Sequence, residues 1–275
     1  MRERFAQLSS DSIARLRGWR RLALAFVAGA VATAAMPPMY ALPVLWISFP
    51  ILMWLLEGCR TRAQMAVTGW GFAFGHYLTG FFWIANAFYV DAETFGALAI
   101  PAVTGLCAGL ALYGAVAVLP LSLIDPERDA MPDDRTVAIA IRAVALAAAW
   151  VFCEWIRSWL LTGFPWNPAG SVWTAWPAMI QSASLWGVYG LGFFTVLSAA
   201  MFAVLGPAPR LRKAVLIALA PVGVLAVFGG VGALRLVIAD PGADSGVVPG
   251  VTLRLVQPNI PQQDKWRPNL REQHL

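Results

Sequence analysis

Glu154 and Arg157 stand three residues apart inside the apolar run "FCEWIRSWLL", so one helix face would carry both. Ionisable side chains in an apolar span are costly and turn toward the bundle interior or a water-filled cavity. Such a pair can be a polar anchor beneath a substrate cavity, or an intrahelical ion pair that fixes packing. Directly after it comes "LTGFPWNPAG", where Gly163 permits unusual backbone angles and Pro165 and Pro168 bar continuation of a helix. Irregular backbone at membrane depth must be buried in protein or line a wet cavity. With Trp166, Trp173 and Trp176 interleaved, the stretch reads either as the wall of a cleft that admits lipid or as an interfacial tryptophan loop.

The remaining reactive side chains form no set. A nucleophile, a base and an orienting group would have to converge. His274 lies at the C-terminal edge of the sequence, and His76 lies within an apolar stretch. His76 could carry a proton or bond to a neighbouring helix. Cys107 and Cys153 lie within apolar runs, and Cys59 sits beside Arg60 at the end of another. No CxxC spacing supports a metal or redox site, so the cysteines read as small apolar packing residues.

The elements that must hold these residues are set by composition. The chain of 275 residues is 59% hydrophobic and 13% charged, with a mean hydropathy of +0.65. Soluble domains carry about 25% charged residues, so this is a membrane chain. Seven spans are expected, at roughly 20–36, 41–57, 64–86, 96–124, 137–161, 177–205 and 211–233. The second is short and flanked by prolines, and the fourth and sixth are long enough to tilt. The first, "RRLALAFVAGAVATAA", has the look of a signal peptide, but its long preceding region and the span that follows favour an uncleaved helix. In "GWGFAFGHYLTGFFWIANAFY", Gly69, Gly71, Gly75 and Gly80 would let helices approach closely.

The net charge of +5 does not form a phosphate-binding face. Basic residues sit between apolar runs, so nucleic acid is not an expected partner. Lys and Arg cluster before the first span and in the second-to-third, fourth-to-fifth and sixth-to-seventh connections, while the other three connections hold none. The positive-inside rule then puts the N-terminus in the cytoplasm and the C-terminal segment outside. The expected organisation is an N-terminal segment 1–19, a seven-helix bundle 20–233, a Gly/Pro/Asp linker 234–250 and a new fold beginning at 251–275. There "VTLRLVQ" alternates as a strand would.

Four segments, "GWGFAFGHYLTGFFWI", "EWIRSWLLTGFPWNPAG", "WGVYGLGFFTVLSAA" and "LVQPNIPQQDKW", together resemble the bacterial apolipoprotein N-acyltransferases, in that family's order and at about its spacing. The resemblance runs from the first span through Trp266. It implies an all-α polytopic bundle followed by the first strand of an incomplete nitrilase-like α/β domain. It implies an inner-membrane enzyme that moves an acyl chain from phospholipid, through a cysteine thioester, to the diacylglyceryl-cysteine of an apolipoprotein. No cofactor or metal is called for, and a monomer is expected. By the same resemblance, Trp266 matches a tryptophan near the active-site cavity, Gly163, Phe164, Pro165 and Trp166 match the outer loop beneath it, and Glu154 and Arg157 match a charged pair on the fifth helix.

The family's catalytic Glu, Lys and Cys lie in motifs beyond the "KW" element, and no residue of these 275 matches them. Lys265, Glu272, Cys59, Cys107 and Cys153 are not substitutes. The expectation is an incomplete chain, inactive alone, or one half of a split enzyme. The competing expectation is a transporter or lipid-binding scaffold in which Glu154, Arg157 and His76 line a path. The outer "PQQDKW" element argues for the acyltransferase.

Overall fold

A computed structural model describes residues 10–124, 135–206, 211–239, 251–257 and 259–261, together with 264, 270 and 272. Seven principal helices occupy the seven expected places: α1 (Gly18–Ala32), α2 (Leu45–Glu57), α3 (Arg62–Gly80), α4 (Ala99–Ala117), α5 (Arg135–Arg157), α6 (Ala183–Met201) and α7 (Leu211–Ile238). Among the described residues, four stretches are long and apolar enough to cross a membrane: Phe82–Leu123, Arg135–Arg157, Ala183–Leu205 and Leu211–Ile238. Leu42–Glu57 is apolar but shorter.

Local chemistry sets several boundaries away from the expected ones. Thr61 caps α3 by accepting from the Gln64 N–H, while Gln64 Oε1 accepts from the Arg60 N–H at 2.8 Å, which resembles a capping box. α3 stops at Gly80 rather than 86, and Phe82–Asp91 continues as 3-10 helix. α5 ends at Arg157 rather than 161. The expected span 177–205 is not continuous. A short helix, Pro177–Ile180, precedes α6, and α6 itself breaks at Gly187, whose φ of 67° no helix accommodates. α7 runs on to Ile238, into the expected linker.

Packing divides into two groups joined at the middle. α3 packs against α1 and α4, and α6 against α5 and α7, while α2 contacts both α1 and α6. Small residues make the tightest seam. A Cβ on Gly29 would lie 1.8 Å from the Phe72 carbonyl oxygen, and one on Gly75 would lie 2.0 Å from that of Phe26. α1 and α3 therefore touch backbone to backbone, as small residues allow in membranes. At the junction of the groups Trp150 meets Phe49 and Phe72 edge-on, each at 5.7 Å between centroids, and Phe49 lies tilted against Phe72 at 5.4 Å. No strand occurs among the described residues; 251–257 has no regular secondary structure and is exposed, against the expected strand. The physical reason is that a lone strand has no ladder partner to satisfy its backbone.

Candidate functional site

The site begins where α5 fails to continue. Beyond Arg157 the backbone enters the left-handed region at Leu161 (φ 53°), Thr162 (φ 75°), Gly163 (φ 84°) and Asn167 (φ 52°). Gly163 accepts that without strain and Asn167 at little cost, while Leu161 and Thr162 cost on the order of 1–3 kcal/mol each. Something must hold the loop in place, and the two charged residues do so.

Arg157 is the largest fully buried side chain, 1% exposed. Its Nη1 donates to the carbonyl oxygens of Phe164 at 2.6 Å and Trp166 at 2.9 Å. The Phe164 N–H returns to the Arg157 carbonyl at 2.7 Å. Its Cζ lies 5.3 Å from the Tyr77 ring centroid, while Nε and Nη2 are buried without a protein hydrogen bond. The aromatic face thus stands in for part of the lost hydration.

Glu154, 5% exposed, accepts from the Trp150 indole at 3.0 Å and the Ala169 N–H at 3.1 Å. One helix face therefore grips both ends of the loop, Arg157 by its carbonyls and Glu154 by an N–H. The expected intrahelical ion pair is not what forms. Among the described residues, the only pair within 4.0 Å is Arg135 with Glu57 at 3.8 Å. The reason lies in what each group faces: the loop returns over the helix and presents carbonyls to the cation and an N–H to the anion.

The far side of the loop is tied by Trp173, whose indole donates to Thr195 Oγ1 of α6 at 2.8 Å. Gly170 lets the loop lie on α6, where a Cβ would meet the Val188 carbonyl oxygen at 2.2 Å. Phe164 is half-buried and edge-on to Phe81 at 5.0 Å. Pro165 and Trp166 are exposed, and Trp166 meets Trp83 at 5.8 Å. With Trp159, Leu161 and Phe82, these form an exposed apolar rim. Trp266 lies outside the described residues.

Beneath the loop, Glu154, His76, Trp150 and Thr195 help line an enclosed cavity of about 20 Å³. That volume suits a single water and excludes an acyl chain. A lipid-sized ligand at this end has to sit on the exposed rim. His76 belongs to helix packing: Thr33 Oγ1, just past the end of α1, lies 3.0 Å from its Nδ1 and donates to its carbonyl at 2.9 Å.

The cysteines are free, with Cys107 and Cys153 buried. Burial pushes the Cys59 thiol up, outweighing the opposing Thr68 hydrogen bond and nearby Arg21. No cluster of three His, Cys, Asp or Glu occurs among the described residues. Sequence reasoning passed over Tyr77, Trp150, Ala169 and Thr195. Trp150, one helical turn before Glu154, was the one with a readable signal.

The fold and the site define a helical membrane protein whose buried charges brace a tryptophan-rich loop. Residues 28–201 match the family described as apolipoprotein N-acyltransferase N-terminal domain, and the chain belongs to that family. It is 39% identical over 258 residues to an apolipoprotein N-acyltransferase of Rhodopseudomonas palustris, covering 90% of this chain and 45% of that protein. A relative of the same name from Allorhizobium ampelinum is 37% identical, covering 94% of this chain and 48% of its own length. One from Sinorhizobium fredii is 36% identical, at 97% and 49%. The chain spans about half the length of the curated relatives it matches.

Proposed function

We propose that this chain is the membrane portion of an apolipoprotein N-acyltransferase, which moves an acyl chain from phospholipid to the N-terminal diacylglyceryl-cysteine of lipoproteins. The observation that carries the reading is the double brace of the loop by Glu154 and Arg157, within the residues that match the family. A loop with left-handed residues, held by buried charges, is a preorganised surface rather than a passive connection. Its rim of Phe82, Trp83, Trp159, Leu161 and Trp166 is suited to the acyl chains of donor and acceptor.

In this reading all seven helices cross the inner membrane, with the N-terminus cytoplasmic and the loop on the periplasmic side. Residues 251–275, with Trp266, open a nitrilase-like domain seated over Gly163, Phe164, Pro165 and Trp166. The reacting Glu, Lys and Cys belong to that domain beyond the "KW" element, so these 275 residues bind and position but do not react. The unit is a monomer. A transporter path through Glu154 has less support, because Trp150 and Ala169 occupy its oxygens and the adjoining cavity has room for only a single water.

The test is a chimaera that continues this chain with the C-terminal half of the Rhodopseudomonas palustris relative. Purified with phospholipid and a diacylglyceryl peptide, it is expected to yield N-acylated peptide. A folded chimaera without product, beside an active relative, would overturn the proposal.

A further inference from the structure

The opposite end of α5 carries a second site. From Arg135 to Arg157 the helix rises about 33 Å, roughly one hydrocarbon thickness, so the ends of α5 lie at different depths. At the Arg135 end a half-open cavity of about 780 Å³ is lined by Arg15, Arg60, Arg62, Arg135 and Arg142. Among the described residues, the wall sets two carboxylates, Asp11 and Glu57, against these five guanidinium groups. Glu57 lies 3.8 Å from Arg135, and the described lining carries more arginines than carboxylates. Among the described residues, the guanidinium groups of Arg15, Arg60 and Arg62 make no ion pair. Arg21, by contrast, is satisfied by the carbonyls of Leu16 and Gly58, and is not available to a ligand.

Helix polarity points the same way. Arg62 is the first residue of α3, which has no acidic residue in its first turn. Helix N-termini carry partial positive charge and favour anions; cations belong at the other end. An arginine at a helix N-terminus, facing a cavity that four other arginines line, forms an arrangement that an oxyanion would stabilise. The mouth is also apolar on one side. Leu56, Met65, Leu121 and Ile124 line it, and Leu112, Val116 and Leu123 are exposed along α4 and the turn after it.

We propose that this cavity binds the phosphate of an anionic phospholipid headgroup, with the lipid's acyl chains lying along the exposed face of α4. The cavity is of a size that takes a headgroup. Basic pockets between membrane helices recognise such headgroups by charge and guanidinium geometry. The site is separate from the tryptophan loop, and its occupancy does not depend on acyl transfer.

The experiment is native mass spectrometry of the full 275-residue chain released from mixed micelles of phosphatidylglycerol and phosphatidylcholine. Selective retention of phosphatidylglycerol is expected. The exposed pair Arg60→Gln/Arg62→Gln should weaken it by about 10- to 30-fold. The equal loss of charge Arg212→Gln/Lys213→Gln, outside the cavity, should change it less than twofold. Circular dichroism checks that both variants keep their helix content.

Equal retention of the two lipids, or equal weakening by the two variants, would overturn the proposal. Inorganic phosphate or glycerol phosphate that binds as tightly as the lipid would reassign the site to a soluble anion. Retention that appears only after Asp133→Asn/Asp134→Asn would give the cavity to the chain's own acidic connection instead.

Discussion

Arg157 has two carbonyls to hold and one aromatic face to rest on, and Lys cannot reproduce that geometry. Arg157→Lys keeps the charge, yet the stretch 161–167 should become readily cleaved in limited proteolysis while the helix content stays unchanged. Glu154→Ala removes the acceptor for the Trp150 indole and the Ala169 N–H and leaves both donors buried. Its expected cost is about 2–3 kcal/mol, read from denaturant unfolding in detergent. At this scale the sequence was half legible. The spacing of Glu154 and Arg157 put them on one face, and that held. Their partners were hidden, because backbone carbonyls and N–H groups leave no mark on the residue pattern. Of the two readings left open, the ion pair has no contact within 4.0 Å to support it.

Among the elements, helices were legible at all seven apolar runs, and four stretches are long and apolar enough to cross a membrane among the described residues. Their interruptions were not. Gly187 breaks α6 through a backbone angle, and nothing distinguishes its letter from the packing glycines nearby. The glycine-rich α3 was read as a close-packing surface, and the seam with α1 bears this out. Gly75→Ala would place a methyl against the Phe26 carbonyl, an immovable backbone atom. A loss of about 1–3 kcal/mol is expected, measured as lowered thermal stability in detergent. Gly105→Ala in α4, where a Cβ meets nothing within 4 Å, should leave stability within ~0.5 kcal/mol of the parent or slightly above it.

Over the whole molecule, charge and aromatic character separate along α5. Arginines gather at its start, and tryptophans gather beyond its end. The sequence carried this polarity through the placement of its basic residues, whereas the tail 251–257 gave a strand pattern that a single segment without a partner does not realise. Our account makes the bundle a binding and positioning frame whose chemistry resides in the rest of the family's chain. The direct measurement is the intact mass of the purified chain after incubation with phospholipid in nanodiscs. The account predicts no covalent acyl adduct, since Cys107 and Cys153 are buried and burial pushes the Cys59 thiol up. An acyl-thioester on any of the three, formed by this chain alone, would contradict it.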